Sequence, residues 1–219
     1  MKLQKKFSSI YIRGNKLLTE NLTPGKKFFN EELIHYKNKE YRVWNPKRSK
    51  LAAAIIKNCK EIGIKKASIV LYLGISHGYT ASFISDIVGY DGMIFGVDIS
   101  PRVMRDLIFL SYERKNITPI LADANFPENY LPRISQADVI YQDIAQKNQT
   151  EILLKNLIFL KKNGYALIAV KARSIDVTEK PKKIFNMVKT QLEKKLQILD
   201  YKNLAPYQLD HCIFICKKF

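Results

Sequence analysis

From Ser49 onward the chain alternates short apolar runs with amphipathic segments, and this alternation restricts the fold more than any other feature. The apolar runs are Ser68 to Leu73, Met93 to Val97, Ile117 to Leu121, Ala137 to Tyr141 and Tyr165 to Val170. They do not alternate polar with apolar residues, so both of their faces must be buried. Between them lie stretches with helical spacing. Ser49 suits the N-cap of a helix from Lys50 to about Ile62, with Leu51, Ile55 and Cys59 on one face. Further helices are expected over Thr80 to Val88, from Pro101 to about Glu113, over Thr150 to Leu160, and from Lys180 to about Lys195. Such βα units build a mostly parallel sheet covered on both sides. The end breaks the rhythm. Leu196 to Tyr201 and His211 to Cys216 are separated only by 202–210, too short for a crossover helix, so an antiparallel hairpin is expected at the sheet edge.

The first 48 residues read differently. Phe7 to Arg13 and Tyr41 to Trp44 are strand-like, and Thr23 to Lys26 is a turn. A small basic β region over 1–48, followed by one α/β domain over 49–219, is the expected organisation. Charge follows the same division. The net charge is +17, and residues 1–50 alone contribute +9 of it. More than half the excess therefore sits in less than a quarter of the chain, which points to a polyanionic partner. No apolar run approaches the ~20 residues of a membrane helix, and no cleavable apolar leader is visible after the basic start, so a soluble, intracellular protein is expected. The three cysteines, Cys59, Cys212 and Cys216, form no CxxC pair and have no completing ligands. They are read as buried small hydrophobes, with no metal site.

The ends of the apolar runs carry the chemistry. The first leads into Gly74 to Thr80, with Gly74 and Gly78 bracketing a strand-to-helix turn. Glycines there let the backbone approach a ligand, and the helix start offers free N–H groups. The second run ends at Asp98, suited to a ribose diol, and the third at Asp123, suited to an adenine amino group. The fourth ends at Asp143. Neither a GxGxxG nor a P-loop lysine is present, which favours a nucleoside cofactor without phosphates. S-adenosylmethionine fits.

These residues, taken together, resemble the fibrillarin family. The similarity lies in the runs Gly74 to Gly89, Pro101 to Leu107, Asn116 to Ile120, Asp143 to Gln146 and Lys171 to Asp176. Leu204 to Tyr207, Asp210 with His211, and Tyr41 to Leu51 belong to it too. The resemblance covers roughly residue 40 to the end. It implies the S-adenosylmethionine-dependent methyltransferase (Rossmann-like) α/β fold with a seven-stranded sheet. It also implies guide-RNA-directed ribose 2′-O-methylation of rRNA, and of tRNA, by the catalytic subunit of a box C/D ribonucleoprotein. Implied partners are the guide RNA, its target, a coiled-coil scaffold protein of the Nop family and a kink-turn-binding ribosomal-type protein. The Arg/Gly-rich tail of eukaryotic members is missing, which implies an archaeal form in the cytoplasm.

The same resemblance implies Lys50, Asp143, Lys171 and His211 around the reacting hydroxyl. It places the cofactor against Gly74, Gly78, Tyr79, Thr80, Asp98, Ile99, Asp123, Ala124, Asp143, Ile144, Ala145 and Gln146. Lys171 is the expected base, its neutral form favoured by burial and by a second cation, Lys50. Asp143 is expected to orient the hydroxyl. The chain departs from the family where Ser-Gly-Thr-Thr is usual and His77-Gly78-Tyr79-Thr80 stands, and where Asp98 replaces Glu. His77 is read as a loop filler and His35 as a surface residue. Other readings are a protein glutamine methyltransferase, a guide-independent RNA methyltransferase and a non-catalytic RNA-binding subunit. The basic charge argues against the first, the small N-terminal region against the second, and retention of the four polar residues against the third.

Overall fold

In a computed structural model that describes residues 2–219, the chain forms two sheets. The first is antiparallel and built from five short strands: β1 (Gln4–Phe7), β2 (Ile10–Arg13), β3 (Lys16–Glu20), β4 (Leu33–Tyr36) and β5 (Lys39–Val43), in the order β1-β2-β3-β5-β4. Sequence reading finds only two of these segments. The run from Phe7 to Arg13 is not one strand, because Ser9 adopts a left-handed conformation (φ 58°) and turns the chain into a hairpin. Strands of four or five residues with many polar positions carry little period-2 signal.

Helix α1 (Lys50–Ile56) leads from this sheet to the second. Ser49 caps it as expected, its side chain accepting a hydrogen bond from the Ala52 N–H. The helix stops six residues earlier than its periodicity suggests. Asn58 turns left-handed (φ 57°), and Gly63 follows at φ 68°. A Cβ at Gly63 would lie 2.3 Å from the Tyr165 ring, so the chain packs here as a close-fitting loop.

The second sheet contains β6 (Ile69–Leu73), β7 (Met93–Asp98), β8 (Ile117–Leu121), β9 (Ala137–Gln142), β10 (Leu160–Lys171), β11 (Leu196–Asn203) and β12 (His211–Lys218). Helices α2 (Tyr79–Val88), α3 (Pro101–Glu113), α4 (Gln149–Asn156), the short α5 (Ala172–Ile175) and α6 (Pro181–Leu192) connect them. The strand order is β11-β12-β10-β9-β6-β7-β8. The five strands from β10 to β8 are parallel, and β12 runs antiparallel to both β10 and β11. Strand β10 begins earlier than expected. Asn163 (φ 61°) and Gly164 form an irregularity inside it and do not separate it from the preceding helix.

The topology positions the site. The chain proceeds from β6 to β7 and β8 on one side, then returns to β9 on the other side of β6. At this reversal the connections after β6 and β9 leave in opposite directions and open a crevice beyond the strands' carboxyl ends. Gly74 follows β6 and Asp143 follows β9, so both residues stand at the crevice. One apolar core fills the face that receives the first sheet, joining Ile10, Leu17 and Trp44 to Leu51, Ile55, Phe83 and Tyr141. The opposite face packs Leu71, Ile140, Ile168 and Phe214 beneath α4 and α6. Cys59, Cys212 and Cys216 are free and buried, and burial pushes the Cys59 thiol up to about 12.

Candidate active site at the strand ends

Two clefts meet at the switch point. The smaller, of about 300 Å³, runs along the ends of β6, β7, β8 and β9. Gly74, Asp98, Ile99, Asp123, Ala124, Asp143, Ile144, Ala145 and Gln146 all line it. The larger, of about 840 Å³, lies between α2, α3 and the segment before α1. Tyr79 and Thr80 line this second space, as does Lys50, and Gly74 and Asp143 belong to both. Gly78 lines neither. It is the left-handed N-cap of α2 (φ 85°), where a Cβ would meet the Leu110 side chain at 2.6 Å. Its contribution is the turn itself.

The glycine at 74 is required by packing. Its φ is +76°, and a Cβ there would lie 2.5 Å from the Asp143 carbonyl oxygen. The Asp143 N–H donates to the Leu73 carbonyl at 3.0 Å, so the two strand ends are locked side by side. Asp98 is pre-oriented. One carboxylate oxygen accepts from the Ser76 N–H at 2.9 Å and the other from the Ser100 N–H at 3.0 Å. Both oxygens keep lone pairs for a diol. One oxygen of Asp123 accepts from the Asn125 N–H and its side-chain amide, both at 2.9 Å. That amide also reaches the Gln146 Oε1 at 3.2 Å, which ties the third and fourth strand ends together.

The residues fit a nucleoside sulfonium. No lysine or arginine lines the smaller cleft, so nothing there would neutralise a diphosphate, while Asp98, Asp123 and Asp143 supply three carboxylates. Ile99 and Ile144 offer apolar surface for a base. A cationic donor with no phosphate suits this set.

Beside the clefts the four polar residues gather. Lys50 Nζ donates to Asp143 Oδ2 at 2.9 Å, with each side chain about one-fifth exposed (22% and 21%). Lys171 ends β10 and pairs in register with His211, the first residue of β12. The His211 ring is half-buried, and burial lowers its pKa. The Leu209 carbonyl, which accepts from Nδ1–H, pulls it up; among the nearby charges Lys50 and Lys171 lower it and Asp143 raises it. Those influences place Lys50, Asp143 and Lys171 within electrostatic reach of His211. The expectation of a buried Lys171 is corrected, because its side chain is exposed at the strand's end. The second cation, Lys50, is moreover already paired with Asp143. An apolar strand buries its interior, while its last residue emerges from the sheet.

Sequence reasoning missed several residues here. Arg48 lays its guanidinium 4.1 Å from the Tyr79 ring centroid, and the Tyr79 hydroxyl accepts from the Asn45 N–H at 3.3 Å. Thr80 donates to Ser49 Oγ at 3.0 Å. These contacts brace the turn from Gly74 to Thr80 against the segment that carries Lys50. The buried Gln149 accepts from the Lys171 N–H through Oε1 at 3.3 Å and receives the Gln142 amide on its carbonyl at 2.6 Å. His77, read as a loop filler, places its Nδ1 2.8 Å from Asp106 Oδ2 at the wall of the larger cleft. His35 is exposed, as expected, beside Glu40.

A family model, Fibrillarin, matches residues 1–219. The chain belongs to the fibrillarin family. A fibrillarin-like rRNA/tRNA 2′-O-methyltransferase of Thermococcus onnurineus is 47% identical over 225 residues, covering all of both chains. The Aeropyrum pernix fibrillarin, solved with natively bound S-adenosyl-L-methionine, superposes with a TM-score of 0.90 at 40% identity, over 99% of this chain and 98% of that one. A fibrillarin solved in complex with Nop5p gives a TM-score of 0.88 at 38% identity, over 98% and 100%. For a fibrillarin, the seven-stranded sheet and its switch-point crevice are the methyltransferase fold that the sequence resemblance implies.

Proposed function

We propose that this chain performs guide-RNA-directed ribose 2′-O-methylation of rRNA and tRNA, as the catalytic subunit of a box C/D ribonucleoprotein in an archaeal cytoplasm. The enzyme class follows from family membership: it is an S-adenosylmethionine-dependent RNA 2′-O-methyltransferase. The observation that carries the reading is the meeting of two spaces at Gly74 and Asp143. One is a carboxylate-lined nucleoside cleft, and the other adjoins Lys50 and opens toward solvent. The partners follow from the Nop5p complex of a relative, from the +17 charge, and from an N-terminal sheet too small to select an RNA sequence alone. A scaffold protein of the Nop family, the guide RNA and a kink-turn-binding protein would supply that selection.

S-adenosylmethionine, when bound, supplies an electrophilic methyl group on a sulfonium that departs as a neutral thioether. The chain must then hold, orient and deprotonate. Asp98 takes the ribose hydroxyls of the nucleoside and Asp123 its amino group. Asp143, held by Lys50, orients the attacking 2′-hydroxyl toward the cleft. Lys171, exposed at the end of β10, accepts the hydroxyl proton when its amine is neutral and can pass it to water. A specific observation favours His211 as a second reading. Its Nδ1 proton is committed to Leu209, and its lowered pKa leaves Nε2 an unprotonated acceptor at neutral pH. The pH dependence of single-turnover methylation separates the two. A lysine base gives a rate that climbs into the alkaline range, and a histidine base gives one that levels off above neutrality.

The test of the function is methyl transfer to an RNA matching a guide, with and without guide RNA, Nop-type scaffold and kink-turn protein. Methylation at one ribose only with the complete set is expected. Rapid site-specific methylation by the isolated chain would establish a guide-independent enzyme. Methylation of protein glutamine without RNA would establish the other alternative.

A further inference from the structure

The Asp98 carboxylate, the candidate ligand of a ribose diol, is held from two sides. One oxygen accepts from the Ser76 N–H at 2.9 Å, in the turn after β6, and the other from the Ser100 N–H at 3.0 Å, at the start of α3. Ser100 is the N-cap of α3, so a helix of 13 residues fixes its N–H. The Ser76 N–H has no such support. Ser76 and His77 are exposed, and Ser76 is left-handed (φ 53°), a conformation that costs free energy in a residue with a side chain. Neither burial nor helix geometry keeps this stretch of backbone in place. The neighbouring side chain supplies the tether: His77 Nδ1 lies 2.8 Å from Asp106 Oδ2, on α3. A carboxylate only accepts, so Nδ1 carries the proton and donates. Arg105 stands 3.7 Å from the other Asp106 oxygen and leaves Oδ2 to the histidine.

These contacts close a ring. Asp98 joins the turn to the start of α3 through its two oxygens, and His77 with Asp106 joins the same turn to the same helix further along. We propose that the His77–Asp106 pair positions Asp98 for the cofactor. It fixes the separation of the two N–H donors and so holds the carboxylate in the orientation that a ribose diol needs. The inference rests on the reading of Asp98 as a cofactor ligand and deepens it: His77 and Asp106 touch no part of the nucleoside and act through the Ser76 N–H. Without the tether the turn samples other conformations. Only a fraction of the molecules then presents a preformed Asp98, and the apparent affinity falls by that fraction. The effect is moderate, because both side chains of the pair are nearly half exposed (49% and 43%), and an exposed ion pair shifts an equilibrium by about fivefold at most. A surface pair can also support a fold in general. The ring separates the two roles, since only positioning requires Asp98.

Calorimetric titration of the full chain with S-adenosylmethionine is the test. His77→Ala and Asp106→Ala should each weaken binding about fivefold, and the double variant should bind no more weakly than either. His77→Asn should bind as wild type, because an asparagine amide nitrogen can stand where Nδ1 stands and donate to the same oxygen. In an Asp98→Ala background, His77→Ala should cost nothing further, because the group it positions is gone. Full affinity in both His77→Ala and Asp106→Ala, with Asp98→Ala weakened, would overturn the proposal and leave the cofactor site standing. So would a loss from His77→Ala that persists undiminished in the Asp98→Ala background, which would make the pair a general support of the turn. Full affinity in Asp98→Ala would overturn the reading of the site itself, and the proposal with it.

Discussion

Two clusters of charge in this molecule are built on opposite principles. At the junction between the two sheets, Arg42 pairs with Glu31 at 2.7 Å and with Asp86 at 2.9 Å, and Arg114 also grips Asp86. Arg42, Arg114 and Asp86 expose none of their side chains. Thr19, Ser82 and Asn21 add hydrogen bonds to the cluster, and only the buried Arg114 Nε in it has no partner among the described residues. At the strand-end site, Lys50 and Asp143 form a single pair with about a fifth of each side chain in contact with solvent, and Lys171 is exposed. A charge removed from water must be fully paired, and once paired it cannot be recruited for anything else. A pair still in contact with solvent can exchange its partner for a substrate at less cost. The first cluster therefore fixes the N-terminal sheet on α2 and α3, while the second is free to do chemistry.

This contrast can be broken by mutation. The largest effect is expected at the site. Lys171→Ala should lower single-turnover methylation by ~10²–10⁴-fold, the usual contribution of a general base, with cofactor affinity near wild type. Lys171→Arg should not rescue it, because arginine keeps its proton at any usable pH. An active arginine variant would assign the proton to His211. At the junction, Arg42→Ala should destabilise the fold by roughly 3–5 kcal/mol, since it strands Glu31 without a counter-charge and leaves Asp86 to Arg114 alone. Urea unfolding measures this, and a loss below about 1 kcal/mol would remove the architectural role. Smaller again, Asp98→Ala and Asp123→Ala should each weaken S-adenosylmethionine binding by ~1–3 kcal/mol, the worth of a hydrogen bond to a charged group. Unchanged calorimetric affinity in both would sink the cofactor assignment.

The smallest effect concerns pH. Burial, opposed by the Leu209 carbonyl, leaves the His211 pKa below its ordinary 6.5. The unfolded chain therefore binds this proton more readily than the folded one. Stability should fall as pH drops through the unfolded value, and the penalty is complete once the folded pKa is passed. Above neutrality it is absent. His211→Asn should flatten this part of the stability curve between pH 7.5 and 5, and an identical slope in both proteins would exclude the histidine as its source.

How much of this could be read in advance depends on distance along the chain. Gly74, Asp98, Asp123 and Asp143 were legible because each follows an apolar run, and a parallel sheet aligns the ends of such runs on one edge. The junction was not legible. Arg42, Asp86 and Arg114 lie far apart in sequence, and nothing local distinguishes a buried arginine from an exposed one. The five short strands of the first sheet were half-hidden because left-handed residues such as Ser9 and Lys37 turn the chain without a glycine or proline to mark the turn. Lys171 was misjudged on burial because a run of apolar neighbours says where the strand is buried, not where it ends. The bracing of Tyr79 by Arg48 and Asn45 depends on how the first sheet docks, which the junction sets and local pattern does not reveal.

If the partly exposed Lys50–Asp143 pair serves chemistry and not architecture, Asp143→Ala shows it most directly. Lys50, about one-fifth exposed, can turn its ammonium toward the adjoining open cleft, so the loss should stay near 1 kcal/mol, well below that of a fully buried pair. Single-turnover methylation and urea unfolding should be measured on the same preparation. The rate should fall by ~10²-fold or more, in line with a lost orienting group, with unfolding free energy within about 1 kcal/mol of wild type. A variant that unfolds several kcal/mol more easily, or one that methylates at the wild-type rate, would contradict it.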